Sequence, residues 1–177
     1  MSADKISNLR QDLASRVVRD LNLPAGMNGS ESNVDKFRLQ ADPRLLRDLA
    51  TLVADALPSD TEVLVGMELG GVPLATAVSL HTGLPWALLR RSPRAGITST
   101  IAGTSVDGRN CVLIKDAVRG GSTLIPATST LRSNNALVTH AAVGLSWNPT
   151  LSDTLRPAGV TPIAALTLAD LGNARTH

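Results

Sequence analysis

Aromatic residues are nearly absent from this 177-residue chain: tyrosine is missing, and only Phe37, Trp86 and Trp147 are present. Its core must therefore be aliphatic, built from Leu, Val, Ile and Ala. The single cysteine, Cys111, excludes an internal disulfide and any Cys-x-x-Cys metal cluster. It sits at the edge of a predicted central strand and reads as an inert buried thiol. Excess charge is also small. A net charge of +2 is too little to argue for a nucleic-acid partner, and basic residues are spread out except at Arg90, Arg91 and Arg94. No apolar run approaches the roughly 18 residues that suggest a membrane span. The N-terminus is amphipathic and charged rather than a signal sequence. These absences predict a soluble cytoplasmic protein with no membrane and no nucleic-acid partner. There is no internal repeat, and the length suits one domain with a single sizeable core.

What the chain does have is ordered apolar periodicity. Ile6, Leu9, Leu13, Val17 and Leu21 recur at helical spacing, and Pro24 ends that stripe. Residues 25–34 are rich in Gly and Ser and read as a loop. Asp42 before Pro43 predicts a second helix, with Asp as cap and Pro in the first turn. Its apolar face is Leu45, Leu46, Leu49, Leu52, Val53 and Ala56, and Pro58 stops it. Strands and helices then alternate. Strands are predicted over Glu62–Met67, Trp86–Arg90, Asn110–Lys115, Leu137–Leu145 and Pro162–Leu168. Helices are predicted from about Pro73 to His81, and from Leu124 to Arg132 despite Pro126. Continuously apolar strands separated by helices imply a parallel sheet covered on both faces. The polar connection over 91–109 has a length that often carries function.

In such a sheet, ligands bind beyond the carboxyl ends of the strands. Two glycine turns are predicted there. Glu68-Leu69-Gly70-Gly71 follows the first strand, and Arg119-Gly120-Gly121-Ser122-Thr123 opens a helix after the third. Either alone is also what a tight strand-to-helix connection requires. Together they offer backbone amides, a helix N-terminus and the hydroxyls of Ser122 and Thr123, which are groups that hold a phosphate.

These motifs resemble type I phosphoribosyltransferases, and orotate phosphoribosyltransferases in particular. In that family two acids, two hydrophobic residues, Thr-Thr and Gly-Gly-Ser follow a strand. Lys115-Asp116-Ala117-Val118-Arg119-Gly120-Gly121-Ser122-Thr123 occupies that place, with one residue fewer before the glycines. Further matches are Val34–Arg38 with Asp42-Pro43, Gly66–Ala75, the basic Arg90-Arg91, Ile101–Gly103, Asp107–Arg109 and Leu166–Leu171. The resemblance covers roughly residues 30–171. It implies an α/β type I phosphoribosyltransferase fold: a five-stranded parallel sheet flanked by helices, with a small N-terminal hood. One domain would span 1–177, with helix and hood over 1–40, core over 41–177 and a mobile loop over 91–109. It also implies transfer of ribose 5-phosphate from phosphoribosyl pyrophosphate to a base, with Mg2+. The partner would be a second copy, in a homodimer whose mobile loop reaches across to the neighbouring site.

The resemblance assigns parts residue by residue. Gly120, Gly121, Ser122 and Thr123 fit the 5-phosphate, and Glu68, Leu69, Gly70 and Gly71 fit the pyrophosphate, with Arg90 and Arg91 opening the loop. Arg94 stands for a loop lysine that stabilises charge on the leaving pyrophosphate; Arg keeps the charge but changes the hydrogen-bond geometry. Asp116 retains one of two acids that hold the ribose hydroxyls. Lys115 replaces the other with an ammonium, which can only donate. Arg119 replaces a small Thr and either crowds the site or adds a phosphate contact. The Asp-Arg pair that ends the fourth strand in orotate enzymes is Ser146-Trp147 here, so the bidentate partner for a carboxylate is lost. Trp147 either stacks on a flat base or covers the core edge. Lys36, with Arg38, matches a segment near the base, or is a solvated charge. The expectation is a protein that binds phosphoribosyl pyrophosphate or a nucleotide, with orotate transfer impaired or lost. The alternative is an active transferase acting on orotate or another base.

Overall fold

The computed structural model describes residues 1–21, 35, 37–91 and 100–174. Helix α1 (Ala3–Asp20) is followed by the short α2 (Arg38–Ala41) and by α3 (Pro43–Asp55). At the start of α3 the Asp42 side chain accepts from the Arg44 and Leu45 amides, and Pro43 occupies the first turn, where no donor is missed. The chain then runs β1 (Val63–Met67), α4 (Gly71–Thr82), β2 (Trp86–Leu89), β3 (Ile101–Gly103), β4 (Asn110–Val118), α5 (Leu124–Ser133), β5 (Leu137–Ser146), α6 (Leu151–Leu155), a short 3-10 turn, β6 (Thr161–Thr167) and α7 (Leu168–Asn173). Pro73 and Pro126 both fall in the first turn of their helices, which explains why neither breaks one.

The strands form one sheet in the order β3-β2-β1-β4-β5-β6. All neighbours are parallel except β2 and β3, which pair antiparallel. The expected five-stranded parallel sheet is therefore a six-stranded mixed one. The added edge strand lies inside the connection expected to be a loop over 91–109. Three residues are too few for alternation to show in sequence, so only pairing with Ala87–Leu89 defines it. Residues 92–99, in the same connection, lie outside the described residues.

Alternation along the strands divides the core in two. Leu64, Val112, Ile114, Ala142 and Leu145 face a layer made by α1, α3, α4 and α7. Val63, Val65, Cys111, Leu113 and Val143 face α5 and α6. Every strand in the centre thus buries both faces, which is why it reads as a continuous apolar run. Helix α1 buries Leu13, Ala14 and Val17 in the first layer, and Arg16 bonds to Asp48 of α3. It is an integral part of that layer. Residues 22–34 and 36 of the expected hood lie outside the described residues.

The strand order fixes where a ligand can enter. The chain leaves β1 for β2 and β3, then returns to the other side of β1 as β4. Flanking helices consequently depart in opposite directions at the β1–β4 boundary, opening a crevice beyond the carboxyl ends of these two strands.

Candidate functional site

Both glycine turns sit at this switch point, one after each of the two adjacent strands. The Glu68–Leu69 peptide bond is cis, and Gly70 and Gly71 lead into α4. Gly70 is needed for room. A Cβ there would overlap Asp116 Oδ2, and one at Gly71 would overlap the Ile114 carbonyl. The first turn therefore lies directly on β4. On the opposite side, Gly144 allows β5 to approach, since a Cβ there would stand 2.6 Å from the Asp116 carbonyl oxygen.

Strand β4 runs to Val118, three residues beyond its expected end at Lys115, so Asp116 also belongs to the strand rather than to the turn. Asp116 is buried, and Lys115 Nζ lies 4.0 Å from its Oδ1. A carboxylate withdrawn from water needs such a neighbour, because burying an isolated charge is costly.

The second turn, Arg119–Thr123, opens the ten-residue helix α5. Gly121 has φ +81°, and a Cβ there would stand 2.6 Å from Leu151 Cδ1, so both its conformation and its surroundings favour glycine. Leu124 N donates to Gly121 O at 2.9 Å. Arg119, Gly120, Ser122 and Thr123 are exposed. Thr123 occupies the N-cap without using its side chain to cap the helix. Exposed hydroxyls beside the amides and dipole of a helix start can hold an anion.

Asn148 was not singled out from sequence, yet it braces this turn. Its Nδ2 donates to Gly120 O and to Thr154 Oγ1, each at 3.2 Å. Its Oδ1 accepts from the Thr150 amide at 2.9 Å and from the Thr150 hydroxyl at 3.0 Å. The Asn-Pro-Thr sequence carries a turn signal of this kind, but its reach to Gly120 depends on the fold.

A cleft of about 270 Å³ brings together Glu68, Arg90, Arg91 and Thr123, with Met67 and Ala127 among its other walls. Glu68 links its two sides. Its amide donates to Leu89 O at 2.9 Å, and its carboxylate accepts from the Arg91 amide at 3.2 Å. Lys115, Asp116, Leu69, Gly70, Gly71, Arg119, Gly120, Gly121 and Ser122 border the switch point without lining this cleft. Trp147 does neither. It is 6% exposed and packs with the α1–α3–α4–α7 layer, while its amide donates to Val118 O at 2.9 Å. Of the two roles left open for it from sequence, a base-stacking face or a cover for the core edge, its burial agrees with the second. Lys36 and Arg94 lie outside the described residues.

The described residues gather no cluster of their own for a divalent cation. Mg2+ takes oxygen ligands, usually one or two carboxylates together with substrate phosphates. Among the described residues, no three His, Cys, Asp or Glu side chains gather to hold a metal. At the end of β4, an ammonium stands beside the carboxylate.

No protein-family model matches the chain. Among solved structures, a phosphoribosyltransferase from Corynebacterium diphtheriae superimposes with a TM-score of 0.79 at 23% identity, covering 92% of this chain and 98% of that one. The Mycobacterium tuberculosis orotate phosphoribosyltransferase in complex with 5-phospho-α-D-ribosyl 1-diphosphate gives 0.74 at 24% identity, covering 93% and 92%. The fold is thus that of the type I phosphoribosyltransferases. An orotate phosphoribosyltransferase from a Nocardioides species is 34% identical over 165 residues, which is 93% of this chain and 92% of the relative. The chain belongs to the orotate phosphoribosyltransferase family.

Proposed function

We propose that this protein binds a phosphorylated ribose, as phosphoribosyl pyrophosphate or a nucleotide, at the β1–β4 switch point, with transfer to orotate impaired. The braced Arg119–Thr123 turn carries the binding part: glycines, exposed hydroxyls and a helix start follow directly after β4. Glu68–Gly71, just after the adjoining strand, would take the diphosphate of the same donor. Asp116 remains as the acid for the ribose hydroxyls, and Arg94 as the cation for the leaving group. Lys115 supports impairment, because an ammonium cannot accept a hydroxyl's hydrogen bond. At about 4 Å and an effective dielectric near 20, replacing an acid by a cation changes local electrostatics by roughly 4 kcal/mol per charge.

A second reading is an active transferase that passes ribose 5-phosphate to orotate or another base. It is favoured by agreement with the Nocardioides relative over nearly the whole of both chains and by the assembled Glu68–Arg90–Arg91–Thr123 cleft. Mg2+ would then arrive with the donor's phosphates. In both readings the protein is a homodimer. The open edge of the sheet supports this, with a groove along Trp86, Leu88 and Ala102 and a highly exposed Leu80 on α4. Light scattering at the mass of one chain would contradict it. Calorimetric titration with phosphoribosyl pyrophosphate, followed by a pyrophosphate-release assay over a panel of bases, separates the two readings. Binding without release supports the first. Release with any base at an enzymatic rate establishes the second.

A further inference from the structure

We propose that Lys115 itself supplies the positive charge at the donor site, so that this protein binds phosphoribosyl pyrophosphate without a divalent cation. The inference rests on the donor-binding reading above and adds how charge is balanced there.

Lys115 is a cation held by the scaffold. It stands on β4, four residues before the phosphate turn, and its side chain is 16% exposed against 2% for Asp116. Its Nζ lies 4.0 Å from Asp116 Oδ1. A divalent ion drawn to that carboxylate would have to share it with the ammonium, and like charges repel strongly at such range. Asp116 also has little freedom to turn away. The Gly70 backbone lies against its Oδ2, and Gly144 approaches its main chain from β5. An ammonium has three donors, so one that also faces Asp116 can still direct a donor at a phosphate oxygen or ribose hydroxyl. Where the family resemblance implies a second acid beside Asp116, this chain carries a fixed charge of the sign the metal would bring.

Calorimetry with phosphoribosyl pyrophosphate, in Mg2+ and in EDTA, tests this on the full chain. Wild type, Lys115→Met and Lys115→Glu are compared, with thermal melts to establish folding. Met keeps the apolar stem and removes only the charge. The wild-type Kd should differ by less than about threefold between the two buffers. Lys115→Met should weaken binding in EDTA by about tenfold or more, and Lys115→Glu should bind mainly when Mg2+ is present. A wild-type loss of about tenfold or more in EDTA overturns the inference and leaves donor binding standing. Metal-independent binding that Lys115→Met does not weaken overturns it as well, since the charge then comes from elsewhere. No binding in either buffer overturns both this inference and the donor-binding reading.

Discussion

Gly70 shows how much of this site depends on an atom that is missing. Its φ of −68° is open to any residue, yet a methyl group there would collide with Asp116 Oδ2. Gly70→Ala should therefore displace the carboxylate or the turn, at a cost of about 1–3 kcal/mol in denaturant unfolding, as for other overpacked sites. Donor affinity should fall with it, and a variant of unchanged stability and affinity would contradict the contact. Cys111 allows a second test at this scale. Burial pushes its thiol up to about 11 from an ordinary value of 9.0; Glu62 adds to the shift and Arg109 opposes it. The thiolate is the reactive form, so the native protein should resist alkylation at pH 8 and react only on unfolding. Its folded pKa lies above its unfolded one. Stability from this group is complete below pH 9 and lost as pH rises toward 11. Cys111→Ala should flatten that decline. The identity of Lys115 in an acidic position was legible from sequence, as was the Asp42 cap. Its partner contacts were not, because the approach of Gly70 to Asp116 exists only once β1 lies beside β4.

Elements with a strong period were legible in the sequence, although β4 runs three residues past its expected end. Helix α3, with its cap and apolar face, and strands β1, β4 and β5 have their expected places, because burial on one or both faces dictates their composition. Short elements escaped. Strand β3 has three residues and α6 has five, and neither is long enough to show a period. One of them matters for the site, since α6 contributes Thr154, which bonds Asn148 beneath the Arg119–Thr123 turn. Asn148→Ala removes the bonds to Gly120 and Thr154 and the acceptor for Thr150. The variant should lose about 1 kcal/mol or more of stability. Its affinity for ribose 5-phosphate should weaken severalfold, because the turn it braces would no longer be held ready. Unchanged affinity would show that Gly120 is held well enough by the helix alone.

For the molecule as a whole, the switch point between β1 and β4 orders the remaining observations. It places two glycine turns side by side, puts the Lys115–Asp116 pair between them and leaves a cleft toward Arg90 and Arg91. The sequence motifs implied this arrangement through their spacing and resemblance, while the mixed sheet and the burial of Trp147 had to come from the fold. No helix among the described residues is long and apolar enough to cross a membrane. On the proposed function, the scaffold holds phosphoribosyl pyrophosphate while Lys115, with Arg119 where it crowds the site, impairs transfer to orotate. Pyrophosphate release at saturating donor and orotate tests it most directly, comparing wild type with the double variant Lys115→Asp, Arg119→Thr. Wild-type turnover should lie far below the roughly 10 s⁻¹ median of enzymes, and the double variant should be faster. Wild-type release with orotate at an ordinary enzymatic rate, unimproved by the two substitutions, would contradict it.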